Sequence, residues 1–430
     1  MTSTDQTTNQ TNQLSTVQFM QQHQDYNEAR RILYEQGIKT KFTDKHIMFT
    51  AEHKAKRLIN DVKISECNGL ILARDTLKVL AVPPKSLCFS LDTQRVNQHL
   101  YQGLYSVFEA RDGTTFTLYY DSDAWHIATT NGITMRDVIF DDKSTYGDLI
   151  NECLRVTARM DLTQLTERLD INKCYSFGFA HWRTHPTTIT ADIWFIQSVQ
   201  VNADAKDYLW LSRVSPVEEI SGLKEVALRD VETMYRMSKN SEDEFYKTGV
   251  CHFGFILRSA NEEATGMYSN LFIESRLMKK IRQYWYDSAA VQMCNTRRLP
   301  RRIVIGLTNY LLRDTNFTLL FPNTQSDYDL YDEILNQVTH CVNHQSDQMQ
   351  TGQMQTGQMQ TNQAQTNLNQ NKYDNLIYKI AGEFARSDFA LTYLKEDSQK
   401  KSSLFAQWLR NIKHFETFVS LLELYIVLHQ

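Results

Sequence analysis

Apolar positions along the chain change their spacing twice. From 16 to 60 they recur at helical intervals, which predicts an N-terminal helical segment ending in the basic residues Lys39, Lys41, Lys45, Lys54, Lys56 and Arg57. Between 67 and 130 the pattern turns to short β-rich runs, LILA, VLAV, TTFTLYY and WHIATT, separated by DT, PP, DG and DSD turns. The DSD turn between a Thr/Tyr-rich run and a Trp-bearing run predicts a hairpin over 114–130. A helix is expected over 145–169, strands over 173–180 and 190–200, and further strands at LWLSRV, HFGFILRS and NLFIES. From 275 onward helical spacing returns.

Composition narrows the reading. With 430 residues, 42% of them hydrophobic, the chain can fill more than one core. A net charge of −4 gives no overall attraction to nucleic acid or to an anionic membrane, so any such affinity must be local. The cysteines at 67, 88, 153, 174, 251, 294 and 341 are odd in number and form no CxxC pair, which predicts reduced thiols in an intracellular, cytoplasmic protein. The N-terminus has neither the basic nor the apolar region of a signal peptide. The apolar run FVSLLELYIVL is too short to span a bilayer and carries Glu423, so no membrane contact is expected. Residues 1–15 read as a disordered polar tail, and the Gln/Met/Thr/Gly repeat at 345–372 as a solvated insertion. The predicted architecture is α+β, with a β-rich body over 60–285 and a helical C-terminal domain over 286–430.

Several short segments then fall in a telling order. CNGLILARDTLKVLAVPPKSLCFS (67–90) precedes ARDGTTFTLYYDSDAWHIATTNG (110–132), followed by CYSFGF (174–179), HFGFILRS (252–259) and NLFIES (270–275). Their order and spacing resemble the motif series of the ATP-dependent RNA ligases, of the viral and phage type, within the covalent nucleotidyltransferase superfamily. That resemblance covers roughly 60–285 and implies a core of antiparallel strands with flanking helices. In such enzymes a Lys-x-Asp-Gly lysine attacks the α-phosphate of ATP, which requires an amine kept partly unprotonated. Glutamates of two later strands hold ribose and metal, and lysines of a final strand offset phosphate charge.

On this alignment Asp112 and Gly113 match the end of the nucleophile motif and Gly254 matches the Glu-Gly glycine. Ala110 stands where the nucleophile belongs, Gly178 and Phe253 stand where the glutamates belong, and the last strand offers Glu274 in place of lysine. Every charged role is vacated. The resemblance therefore implies a binding or scaffolding protein with no cofactor, acting on single-stranded RNA or another nucleic acid, or on protein partners. Two other readings stay open. One is an active ligase using ATP and magnesium with Lys85 as a displaced nucleophile; the other is a structural viral protein that uses the fold for protein contacts alone.

Some side chains carry weaker signals. Arg258, after the Glu-Gly-like strand, is placed to meet a nucleotide phosphate or to end a strand as an ordinary arginine. His181 and His185 have i,i+4 spacing, but Pro186 and the TTIT run oppose the helix a zinc pair would need. The segment 276–302 contains Arg276, Lys279, Lys280, Arg282, Arg297, Arg298, Arg301 and Arg302 against the single acid Asp287. With Trp285 among them it predicts either a nucleic-acid-binding patch or the solvated face of an amphipathic helix.

Overall fold

A computed structural model describes residues 14–285, apart from 24, 53–61, 90–91, 140–143, 186, 189, 202–207 and 260–269. Beyond 285 it describes most of 328–341, all of 366–385 and a few isolated positions. The chain forms two compact units, Met1–Arg282 and Gln283–Gln430.

The first unit begins with helices α1 (Ser15–Gln22) and α2 (Tyr26–Glu35). The helical expectation for 16–60 fails after that, because strands β1 (Ile38–Phe42) and β2 (His46–Ala51) follow. The Lys39 and Lys41 spacing belongs to the exposed face of β1, whose side chains alternate with a period of two, and HIMFTA is almost wholly buried. Lys54, Lys56 and Arg57 lie outside the described residues. A short helix α3 (Val62–Glu66) leads into β3 (Asn68–Ala73) and β4 (Val79–Ala81), giving an antiparallel sheet in the order β1-β2-β3-β4.

The second sheet sits at the centre. It has the order β10-β9-β8-β6-β7, all antiparallel, from β6 (Thr114–Asp121), β7 (Ala124–Ala128), β8 (Lys173–Ala180), β9 (Asp192–Val201) and β10 (Tyr208–Ser212). The predicted 114–130 hairpin is β6–β7. Phe116, Phe177, Phe179, Ile193 and Phe195 pack on helices α5 (Tyr146–Ala158) and α6 (Leu162–Thr166). The expected single helix over 145–169 is thus two, parted where Arg159 takes the left-handed conformation at the end of α5. The opposite face carries Tyr119, Cys174 and Val199 into the core of the first sheet and, further along, Gly178, Trp194 and Ile196.

A third sheet, β11-β5-β12-β13, is built from β5 (Tyr105–Glu109), β11 (Glu225–Val226), β12 (Gly254–Ser259) and β13 (Asn270–Glu274). Helices α4 (Thr93–Tyr101) and α7 (Val231–Thr248) pack on it through Val96, Leu100, Val231 and Met234. Helix α8 (Arg276–Trp285) follows β13 directly. In the second unit, helix α9 (Thr366–Ala385) buries Tyr373, Ile377, Ile380 and Phe384. It begins within the segment expected to be a loop, so the insertion's last residues are helical; 345–365 lie outside the described residues. The architecture is α+β, as the spacing of apolar positions predicts.

Candidate functional site

The vacated motif positions converge where β5 hands over to β6. Ala110 follows β5 directly, is buried, and donates its backbone N–H to Gly254 O at 2.9 Å. Gly254 has φ +123°, and a Cβ there would lie 2.1 Å from Ile273 O, so only glycine fits. Ala110, Asp112, Gly113, Gly178 and Gly254 are therefore linked through adjoining strands. Phe253, half-buried, accepts a backbone hydrogen bond from Ser275 N at 3.2 Å.

What occupies the centre is Trp194. It lies directly across the β8–β9 ladder from Gly178 and is 4% exposed. Its indole covers both glycines: a Cβ on Gly178 or on Gly113 would stand 2.3 Å from ring atoms. No side chain larger than hydrogen fits at Gly178 while that ring stays in place. Arg111 lays its guanidinium 4.4 Å from the indole centroid and forms an ion pair with Asp192, which also accepts from Thr157 Oγ1 at 3.3 Å. The guanidinium thus caps the indole on its solvent side and is held there by the Asp192 carboxylate, the three together forming a plug.

Around the plug, several polar groups pair with one another. Asp112 Oδ2 accepts from Thr187 Oγ1 at 3.0 Å. His185 Nδ1 accepts from His181 N at 3.2 Å, which leaves the proton on Nε2 to donate to Thr114 Oγ1 at 3.0 Å. Burial pushes the His185 pKa down, partly opposed by the Asp112 carboxylate. His181 is fully buried, accepts at Nδ1 from Arg183 N at 3.1 Å, and places Nε2 3.0 Å from Glu152 Oε2, out of hydrogen-bond alignment. The two histidines sit in a turn after β8, and no cluster of three or more His, Cys, Asp or Glu suited to a metal occurs among the described residues.

Lys85 is half-buried and its charge acts on Glu66, a buried carboxyl whose pKa burial raises and Lys85 lowers. Glu66 also accepts from Thr16 N and Thr16 Oγ1, each at 3.2 Å, so Lys85 works against a structural carboxylate. Glu274 faces Arg282 at 2.9 Å. Cys67, Cys88, Cys153 and Cys174 are buried free thiols, with burial pushing Cys153 up to about 12 and Cys174 up to about 11. Cys251 and Cys341 are free as well, and Cys294 lies outside the described residues.

Half of the basic segment can be placed. Arg276 and Lys280 both pair with Glu242 of α7, at 2.8 and 2.7 Å, and Arg282 pairs with Glu274 while lying 5.8 Å over Phe89. Lys279 is exposed. Of the four placed cations, three are thus paired with two acids that the fold brings in, Glu242 and Glu274. Arg297, Arg298, Arg301, Arg302 and the side chain of Trp285 lie outside the described residues.

Sequence reasoning did not find Trp194, because its importance comes from the register that sets it opposite Gly178. Arg258 was singled out, but its setting was not foreseen. It is 6% exposed, donates Nη1 to Ile196 O at 3.0 Å, and lies 5.6 Å over the Phe108 ring.

No family model matches the chain. Over 304 residues it is 27% identical to a protein of African swine fever virus named "Putative RNA-ligase", covering 64% of this chain and 66% of that one. A second isolate's protein of the same name is 26% identical over 303 residues. The match to the first spans just under two thirds of the viral protein. Among solved structures, a "Putative ATP-dependent DNA ligase" from Aquifex aeolicus gives a TM-score of 0.38 at 9% identity, over 74% of this chain and 80% of that one. An "Archaeal ATP-dependent RNA ligase" gives 0.37 at 9% identity, over 76% and 82%. Structural likeness at that level is too distant to decide anything about the site.

Proposed function

We propose that the chain, a divergent relative of these viral proteins, is a catalytically degenerate nucleotidyltransferase that serves by binding or scaffolding, with RNA as its partner. One observation carries the loss of catalysis: Trp194 fills the space over Gly113 and Gly178. ATP and magnesium do not fit these residues. The nucleophile position, Ala110, has no amine; Gly178 and Phe253 have no carboxylate; the ring of Trp194 stands where a Gly178 side chain would have to go. No reaction step is therefore assigned to either. The reading in which Lys85 replaces the lost lysine is weakened by its engagement with Glu66.

RNA as partner is supported by the names of the viral relatives and by the arginines at 297, 298, 301 and 302. Incubation of the full chain with α-labelled ATP, and separately GTP, in magnesium tests the loss of catalysis. No covalent adduct is expected. An acid-labile, alkali-stable adduct on any lysine overturns the proposal, and Lys85 is the first residue to replace in that event.

A further inference from the structure

The chain contains two Asn-Gly steps, Asn68-Gly69 and Asn131-Gly132. Such a step can cyclise on itself, because glycine has no Cβ to keep its backbone nitrogen away from the asparagine side chain. The fold places the two steps in opposite settings. Asn68 is half-buried at the start of β3, lies opposite Thr50 of β2, and donates its Nδ2 to Pro84 O at 2.9 Å. Asn131 is exposed in the turn 129–132 that follows β7, and among the described residues nothing hydrogen-bonds its side-chain amide. The neighbouring nitrogen, Gly132 N, is held only by Thr129 O at 3.4 Å, longer than an ordinary N–H···O bond. Lys41 on β1 donates its Nζ to Asn131 O, the carbonyl of that same peptide group.

We propose that Asn131 is a site of self-modification, where the chain deamidates without an enzyme, and that Lys41 promotes the step. Loss of the Gly132 amide proton puts negative charge on the peptide nitrogen and, by resonance, on Asn131 O. An ammonium donating to that oxygen favours the charged form. Gly132 N then bonds to Asn131 Cγ, the Cγ–Nδ2 bond breaks, and ammonia leaves carrying the proton that Gly132 gave up. The succinimide so formed takes up one water and opens at either carbonyl, to aspartate or isoaspartate. No oxidant, nucleotide or metal takes part. The product carboxylate stands in a turn that meets the first sheet at three points. Lys41 reaches Asn131 O, Thr50 Oγ1 donates to Thr130 O at 2.7 Å, and a Cβ on Gly69 would lie 3.0 Å from Thr129 O. Isoaspartate lengthens the backbone within that turn, so the modification alters the seam between the first and second sheets.

Both asparagines are followed in one experiment. The full chain is kept in mildly alkaline buffer made with heavy-oxygen water and digested at acid pH, and the peptides carrying residues 68 and 131 are weighed by mass spectrometry at intervals. Asn131 converts at least about tenfold faster than Asn68, which must first give up its bond to Pro84 O and its place in the strand. Lys41 is exposed, so its replacement leaves the fold intact. Lys41→Gln slows Asn131 about two- to fivefold, the scale of an exposed charge interaction, and leaves Asn68 unchanged. Lys41→Arg, which keeps a cation in place, retains the parent's rate. In urea, with the fold gone, the parent and Lys41→Gln convert Asn131 alike. The proposal is overturned if the folded chain converts Asn131 no faster than Asn68, or if Lys41→Gln is as fast as the parent in native buffer. It is equally overturned if the slowing in Lys41→Gln persists in urea.

Discussion

Two regions of the same unit differ in what they do with charge. Around Gly113 and Gly178 every charged role suggested by the RNA-ligase resemblance is gone, and an indole closes the space. Around Phe108 a charged arginine remains, nearly fully buried and with a donor left over. Loss of charge beside an aromatic plug is self-consistent, because apolar packing needs no partner. Arg258, by contrast, is held by the Ile196 carbonyl and the Phe108 ring, and no carboxylate pairs with it among the described residues. The first region fills its space with an aromatic ring; the second keeps a charge below the surface.

The strongest way to break this comparison is to restore a carboxylate under the plug. Gly178→Glu places a charged side chain into the Trp194 ring, and a loss of more than about 5 kcal/mol of unfolding free energy is expected in urea titration. A loss under about 1 kcal/mol would mean that the ring moves aside freely and the site is not closed. Trp194→Ala comes next, with a cost of about 3–5 kcal/mol from the cavity it leaves. Combined with Gly178→Glu it should cost less than the two single changes added together, since the clash disappears with the ring.

A smaller effect is expected from acid. The His185 pKa is lowered in the folded state, so the unfolded chain takes up the proton first as pH falls. Stability is therefore full above the ordinary histidine value of about 6.5 and declines below it, by at most about 1.4 kcal/mol per pH unit from this group. His252, also lowered by burial, acts in the same sense, whereas Glu66, raised by burial, acts in the opposite one. His185→Gln should flatten the profile between pH 6.5 and 5; an unchanged slope would place the titration elsewhere. Smallest of all is Arg258→Met in chloride buffer, expected to stay within about 1 kcal/mol of the parent because removing a buried unpaired ion offsets the lost hydrogen bond to Ile196 O. A loss of several kcal/mol would make the arginine a structural clamp and sharpen the contrast differently.

How much of this was legible in the sequence depended on the range of the interactions. The strands from LILA to NLFIES follow from local alternation and turn residues, and the structure places a strand at each. β1 and β2 were misread as helix: IKTKF alternates over only five residues, and HIMFTA is a nearly continuous buried run, which periodicity alone does not tell from a helix segment. In the 276–302 segment the pairing of Arg276 and Lys280 with Glu242 could not be read from local charge, because Glu242 belongs to a different helix. That Ala110, Gly178 and Phe253 carry no charge was plain in the sequence. The packing of Trp194 over Gly178 was not, since only the β8–β9 register sets the two opposite each other.

Closure of the nucleotide site is the central claim, and calorimetric titration of the full chain with ATP, with and without magnesium, tests it most directly. The account predicts no magnesium-dependent binding tighter than about 100 μM. Magnesium-dependent binding with a Kd below about 1 μM would contradict it, since an indole packed over Gly113 and Gly178 leaves no place for the nucleotide.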